Sequence, residues 1–500
     1  MVAALFAAPL APVVAGLALV VGDRSIRSVS RHTAYIVSLV AMLASLLASI
    51  VVAYDRPVLD RQWVPEVGMR LHLAVDGISV PLLLMTAAVG VLVVLHARHE
   101  QPAGGTPATF FGCLLLVIGG GIATFLVQDA ISFFLAFEVV LVPMWVLINR
   151  FGDRRDPRER ARAAGTFVLY TVLGSTLMLV GILTMSFAAG TTDLAGLAAN
   201  PMSPGKQTAV AALLLIGLGI KVPMWPLHSW LPRAHTVAPT AGSILLAAVL
   251  LKMGTYGVVR LVVAPLPDGV ERLAPYVGTC AVIGIIWGGL VCLVERSLKR
   301  LVAWSSVAHM GFVLLGLMSG TTIGLQAALF ANIAHGVISA LLFAVVGGLK
   351  HRWGDDDLDT ARRSLRDVSP RLSLALVIGF AASMGLPGLA GFWGEVLAIF
   401  GAWTPGGDRP TGWFRVLAMF ASLGAVLAAG YALRVLRIVW HGPAEGGLPP
   451  EPEPAGDARG NEWLVTSVLS AATIVLGVIP LILLQTTSGA VDQLMAVIGR

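Results

Sequence analysis

Four charged residues stand inside apolar sequence that is otherwise free of charge: Glu138 in ISFFLAFEVVLVPMW, Lys221 in GIKVPMWPLHSWLP, Lys252 in AAVLLKMGTYG and Glu395 in GFWGEVLAIF. Histidines accompany them: His309 and His335 in later apolar runs, His228 and His235 on and just after the run that holds Lys221. A charge near the centre of a bilayer costs at least about 2.5–3.5 kcal/mol on insertion scales, so such residues call for compensation. An amine taken out of water loses basicity, and a nearby carboxylate restores it. Moving Glu138 toward or away from Lys221 would therefore switch the lysine between holding and releasing a proton. Lys252 would be the next carrier. His309 and His335 would follow, because an imidazole titrating near about 6.5 suits transfer at neutral pH. Glu395 would be the exit carboxylate. The bland alternative for Glu138 and Lys221 is a static ion pair, and for each histidine an interhelical hydrogen bond. His228 and His235 lie nearer one face, with less defined roles.

These residues need helices across a membrane to hold them. The chain has 500 residues, 57% hydrophobic and 12% charged, with a mean hydropathy of +0.84. A soluble chain carries about 25% charged residues. Apolar runs of roughly 20 residues recur from end to end, long enough to cross a ~30 Å hydrocarbon layer. Only helices and closed barrels satisfy the backbone in lipid, and continuous Leu/Ala/Val/Gly runs are not the alternating segments of a barrel. The expected fold is an all-α integral membrane protein of about fourteen spans. Their limits are near 3–21, 33–53, 77–95, 109–127, 130–148, 163–188, 208–230, 238–263, 274–294, 301–319, 322–349, 372–402, 412–440 and 463–485. The first run lacks a basic leader and a processing site, and reads as a retained span. Cys113, Cys280 and Cys292 all lie in apolar runs without ligand spacing, which predicts core packing and no iron–sulfur, haem or zinc site in this chain.

Loop charges give orientation. Alternate loops carry Arg24, Arg27 and Arg31, then Arg98, then Arg150 to Arg162, Arg233, Arg296 to Arg300, Lys350 to Arg371, and Arg459. The other loops hold far fewer: Arg56, Arg61, Arg70, Lys206, Arg272, Arg409, Arg415 and Arg500. The positive-inside rule puts the first set in the cytoplasm and both termini outside. The formal charge of +6 thus serves topology and the lipid bilayer, not nucleic acid. The stretches 350–370 and 441–460 are the loops of note, and neither is long enough for a second domain. Asp76 and Asp129 read as interfacial, Arg434 and Arg437 as snorkelling to the cytoplasmic surface, and the tryptophans as interface anchors.

Spans 4 to 8 (109–263) and 9 to 13 (274–440) each count five helices within one membrane domain (1–500), flanked by 3–95 and 463–485. An odd number per unit makes the second an inverted copy of the first, an architecture that places transport sites at mid-membrane on broken helices. Both units carry a break in their fourth span: Pro223 and Pro226 in the first, Gly385, Pro387, Gly388 and Gly391 in the second. Proline removes a donor and clashes with the preceding turn. A break survives in lipid only where it is buried in protein or wet.

At this point the residues carry a family resemblance. KVPMWPLHSWLPRAHTVAPTAGSILLAAVLLKMGTYG resembles the signature of the antiporter-like subunits of respiratory NADH–quinone oxidoreductase (complex I) and of Mrp-type cation/proton antiporters. LKRLVAWSSVAHMGFVLLGL and ANIAHGVISALLF resemble two further hallmarks, and the likeness covers spans 3 to 13. The resemblance carries the family's ion-pair glutamate onto Glu138, its broken-helix lysine onto Lys221 and its central lysine onto Lys252. It implies that glutamate rather than lysine at Glu395 marks the M-type branch, as does the lack of a long lateral helix. It further implies a non-redox, proton-translocating subunit of a bacterial plasma-membrane complex, between L-type and N-type neighbours. NADH, FMN, iron–sulfur clusters and quinone would then be handled by other subunits. A cation/proton antiporter subunit and a membrane subunit of a hydrogenase- or formate-linked pump are the competing functions.

Overall fold

The computed structural model describes residues 1–25, 29–98, 100, 104–153, 155–360, 362–442 and 456–499. Most of the 441–460 loop lies outside these, as do Arg27, Arg154 and Arg500. Among the described residues, thirteen helices are long and apolar enough to cross a membrane. The chain opens with α1 (Val2–Ser25), α2 (Arg31–Asp55), α3 (Ser79–Ala97) and α4 (Pro107–Leu126). The expected fifth span is divided into α5 (Ala130–Val139) and α6 (Leu141–Phe151). Pro143 cannot donate to the carbonyl of Val139, so the regular ladder lapses there, next to Glu138. α7 (Pro157–Ala189) and a short α8 (Leu194–Ala199) follow.

The seventh span is broken as expected: α9 (Pro204–Lys221), an irregular turn, then α10 (Trp230–Val237). The eighth is a continuous helix of mixed pitch: α11 (Thr240–Leu245), a π-helical turn Leu246–Leu250, α12 (Leu251–Gly257) and a second π-helical turn Val258–Val263. α13 (Pro267–Val294), α14 (Leu298–Ser319) and α15 (Thr322–Trp353) are long and regular, and α16 (Leu365–Val368) is a single turn. The twelfth span is broken into α17 (Pro370–Ser383) and α18 (Ala390–Trp403). α19 (Thr411–Val435) ends in a π-helical turn, Leu436–His441. The run expected as one final span at 463–485 is two helices, α20 (Gly460–Val478) and α21 (Leu481–Ile498). They part at Ile479–Pro480, because the residue before a proline is pushed out of the helical region.

Beside the helices, β1 (Leu59–Val64) and β2 (Met69–Leu73) form an antiparallel hairpin with a bulge between Gln62 and Val64. The chain ends divide into two faces. On one, the arginine-rich loops are tied together by Lys350–Asp153 (2.7 Å), Arg352–Glu462 (2.8 Å) and Arg300–Glu295 (2.7 Å). Arg434 donates to the carbonyl of Glu295 at 2.8 Å on this face, as a snorkelling side chain should. On the other face the hairpin meets the loops before α3, α5 and α8, with Asp60–Arg70 at 2.7 Å and His72–Asp193 at 2.6 Å. Asp129 departs from the interfacial reading. It is fully buried and caps α5, accepting from Ser132 N at 2.9 Å and from the Thr192 hydroxyl.

Lipid-type exposure separates the helices by role. α15 and the α11–α12 segment are almost wholly enclosed by protein, while α1, α7, α19 and α21 carry exposed apolar side chains. Tryptophans split the same way. Trp63, Trp287, Trp403 and Trp413 are exposed, but Trp230 is buried and donates Nε1 to the carbonyl of Ile220 at 2.9 Å, bracing the first break. Trp393 donates to Gly477 O at 2.8 Å beside the second.

Candidate functional site

α9 stops at Lys221 because Pro223 and Pro226 follow at once, so the amine stands at the lip of the break. Its side chain is 2% exposed. Gly254 of α12 lies against its stem, where an added Cβ would come within 3.0 Å of the lysine Cβ. The Nζ atom rests 4.8 Å from the Phe137 ring centroid and 5.8 Å from that of Phe167, with no hydrogen-bond partner. Glu138 is half-buried, and its carboxylate accepts from the Ser175 hydroxyl of α7. Its charge reaches Lys221 through space. The expected direct pair is therefore open in this structure. A ring face holds the ammonium by cation–π attraction of about 0.5–2 kcal/mol, weaker than a carboxylate contact at the same depth.

Lys252 sits on α12, fully buried, with Nζ 2.5 Å from His335 Nδ1 and 3.9 Å from Met310 Sδ. His335 on α15 has its Nε2 3.0 Å from the Ser339 hydroxyl, one turn on. This fits a neutral ring that accepts from the ammonium at Nδ1 and donates from Nε2. The sequence reading took His309 before His335; the structure makes His335 the neighbour of Lys252. His309 on α14 is next, with ring centroids 5.7 Å apart. Its Nε2 donates to the carbonyl of Ser383, the last residue of α17, at 2.9 Å. The same nitrogen lies 3.5 Å from Glu395 Oε1.

Glu395 projects from α18, 6% exposed, and its Oε1 has no hydrogen-bond partner. The break gives it room. Gly385 has φ +72°, and an added Cβ there would lie 2.7 Å from Glu395 Oε2. A cavity of about 20 Å³ is lined in part by His309, His335, Ala334, Ile338, Gly391 and Glu395. One water needs roughly 10–15 Å³ of such space and two or more polar partners. The His309 imidazole and the unpartnered Oε1 of Glu395 supply them. Ser383 and the buried Tyr431, 3.3 Å apart, extend the polar contacts behind this cavity.

The two remaining histidines lie on the arginine-rich side of this group. His235 on α10 is fully buried and stacks on Phe343 at 4.6 Å, with neither ring nitrogen hydrogen-bonded. His228 packs edge-on against Trp304 at 5.3 Å. Beyond His235, on the arginine-rich face, a vestibule of about 960 Å³ is lined by Glu100, Asp153, Thr240, Lys299 and Lys350. Lys299 was read only as a topology charge. It is buried and donates to the Ala238 carbonyl at 2.5 Å, between the vestibule and His235. Burial acts to raise the Asp153 carboxyl, but hydrogen bonds from Arg155 and Lys350 hold it far below the ordinary carboxylate range. Asp356 is likewise held low, against its burial, by Ser297 and Lys350. The vestibule rim thus keeps its negative charge at neutral pH.

Lys252, His335, His309 and Glu395 therefore form one connected group, while Lys221, apart from Glu138, touches α12 through Gly254. A residue that sequence reasoning missed is Arg260, one further charge in the eighth span, its side chain 16% exposed. It lies eight residues after Lys252, two helical turns along the same side, which was the available signal.

The transmembrane-family model described as "NADH:quinone oxidoreductase/Mrp antiporter, TM" matches residues 127–426. NAD(P)H-quinone oxidoreductase chain 4 1 of Synechococcus sp. (strain JA-3-3Ab) is 38% identical over 427 residues, covering 85% of this chain and 79% of that one. Its counterpart from Trichodesmium erythraeum (strain IMS101) is 34% identical over 498 residues, covering 97% and 92%. Among solved structures, a chain of respiratory complex I from Thermus thermophilus with bound NADH superposes with a TM-score of 0.86 at 28% identity, over 99% of this chain and 100% of that one. A chain of the Mrp complex from Dietzia sp. DQ12-45-1b gives 0.84 at 22%, over 99% of each, a likeness of fold.

Proposed function

This chain belongs to the NADH:quinone oxidoreductase/Mrp antiporter transmembrane family, and from that premise we propose that it is a proton-translocating, non-redox subunit in the membrane arm of a respiratory NADH:quinone oxidoreductase. It is a multi-pass membrane protein. The relatives named above are chain 4 subunits of NAD(P)H-quinone oxidoreductases, and the likeness to a complex I chain spans nearly its whole length. The observation that carries the proposal is the unbroken contact from Lys252 through His335 to a water-sized space shared by His309 and Glu395.

In this reading the arginine-rich face is cytoplasmic, in a bacterial plasma membrane, and both termini begin from the outer side. Protons enter at the vestibule and pass Lys299 and His235 to Lys252. Lys221, held on aromatic rings, is the switch. When Glu138 closes on it, Lys221 keeps its proton. When the pair is open, as here, the desolvated amine favours release toward Lys252. Lys252 hands a proton to His335 Nδ1, leaving a neutral amine and an imidazolium. A water in the cavity passes it to His309 or Glu395, and Glu395 delivers it outward. Electron transfer from NADH to quinone, with FMN and iron–sulfur clusters, occurs in other subunits, and L-type and N-type relatives flank this one.

The test is proton translocation by the assembled complex in proteoliposomes. Lys221→Ala and Glu138→Ala each lower it sharply. Normal translocation with normal assembly in both would end the relay reading. Translocation that follows sodium rather than protons would favour the antiporter function instead.

A further inference from the structure

Lys252 is followed on the same side of its helix by Tyr256 and Arg260, each about one turn, or roughly 6 Å of rise, nearer the hairpin face. Thr255 adds a bridge to α15, where Asn332 Nδ2 donates to its hydroxyl at 2.5 Å. Tyr256 is 1% exposed and packs edge-on against Phe125 at 5.3 Å. The Arg260 guanidinium lies 5.1 Å over the Tyr256 ring, and its Nη2 is 2.5 Å from Asp76 Oδ2. The other oxygen of Asp76 accepts from the backbone N–H groups of Ile78 and Ser79, both at 3.0 Å, at the start of α3. The Asp76 side chain is more than one-third exposed at this face. A polar stripe therefore runs from the central lysine to the opposite surface, through a helix segment whose other residues are Met, Gly and Val.

Such a stripe is a short circuit for a pump unless something closes it. A guanidinium closes it well. Arg does not deprotonate in proteins, so it cannot hand on a proton, and its fixed charge repels hydronium and metal cations. Asp76 fixes it in place and is itself held in the charged form. Burial acts to raise the Asp76 carboxyl, but the charge and hydrogen bond of Arg260, with the two backbone N–H groups, bring it below its ordinary value. We infer that the Arg260–Asp76 pair is an insulating plug that stops protons running back from the hairpin face to Lys252, so that they leave only by way of Glu395. This rests on Lys252 being a proton carrier, as proposed above, and makes Arg260 and Asp76 positioning residues for the direction of transfer.

The experiment is the passive decay of an imposed pH gradient in proteoliposomes holding the assembled, resting complex. Arg260→Gln and Asp76→Asn are expected to speed the decay several-fold and to lower the protons pumped per electron, while Asp76→Glu stays near the parent. Adding Lys252→Met to Arg260→Gln should return the decay to the parent rate, because the leak passes through that amine. An unchanged decay in Arg260→Gln would overturn the plug, as would a fast decay that survives Lys252→Met. Failure of both Arg260→Gln and Asp76→Asn to assemble would overturn it too, by making the pair a folding element. Lys252→Met alone separates the two claims: normal pumping removes the relay and the plug with it, whereas lost pumping together with an unchanged decay in Arg260→Gln removes the plug and leaves the relay standing.

Discussion

The two broken helices have similar interruptions but opposite furnishing. At the first, the ionisable group is an amine on the residue just before the break, clasped by two phenylalanine rings and facing a carboxylate that does not touch it. At the second, it is an acid one and a half turns after the break, within 3.5 Å of an imidazole and beside space for a water. The first break is dry and relies on a charge at a distance. The second has space for one water beside its acid. A dry amine is sensitive to the position of its partner, because little solvent screens the interaction. A hydrated acid–imidazole pair is suited to passing a proton on. In the proposed relay this difference gives switching to the first break and conduction to the second, with Lys252 and His335 between them.

Several substitutions would break or sharpen that contrast. The largest effect is expected from Lys252→Ala, which cuts the junction between the two units. Proton pumping by the assembled complex should fall at least about tenfold, equivalent to about 1.4 kcal/mol or more of lost transfer barrier reduction. Glu395→Ala should impair pumping more than Asp129→Ala does, since Asp129 caps a helix and lies outside the connected group; equal losses would count against the exit role. A smaller effect is expected at the glycines of the second break. Gly385→Ala meets a left-handed backbone, costing roughly 1–2 kcal/mol, and also presses on the Glu395 carboxylate. Gly388→Ala, at φ +91° with open space around it, meets only the backbone cost. Both should lower thermal stability alike, but Gly385→Ala alone should also slow pumping.

The smallest effect concerns the two faces. Asp193 raises the basicity of His72 by a hydrogen bond, against burial. A group with a raised folded value stabilises fully below its unfolded pKa, near about 6.5, and that contribution fades as pH climbs through the folded value. The hairpin tie should therefore loosen on the alkaline side. Asp153 is the reverse: its depressed value keeps the vestibule ties intact above the unfolded carboxylate range, near about 3.9, and they fail only as pH falls through the folded value. Amide protection relative to the intrinsic exchange rate should fall toward high pH at residues 59–73 while that around 153 holds; parallel behaviour would remove the distinction.

The sequence made much of this legible for definite reasons. Lipid admits few backbones, so run length located the spans. Charge in lipid is costly, so Glu138, Lys221, Lys252 and Glu395 stood out singly. Pro223, Pro226 and Gly385 announced both breaks. What stayed hidden depends on contacts distant in sequence. The order Lys252, His335, His309 comes from how α12, α14 and α15 cross. Lys299 looked like an ordinary loop cation, because its burial comes from the vestibule walls. The hairpin was missed because LDRQWV is exposed on an edge and carries no apolar run. Pro143 and Pro480 were visible, but one apolar stretch on both sides of a proline reads as a single span until the backbone is traced.

In the proposed path, a water between His335, His309 and Glu395 completes the connection. The most direct measurement is the proton-to-electron ratio of the assembled complex carrying Ala334→Val, which fills that cavity and leaves every titratable group untouched. A strong fall in the ratio is expected, with Ala334→Ser, a polar control, retaining it. An Ala334→Val complex that pumps as the parent does would contradict that path.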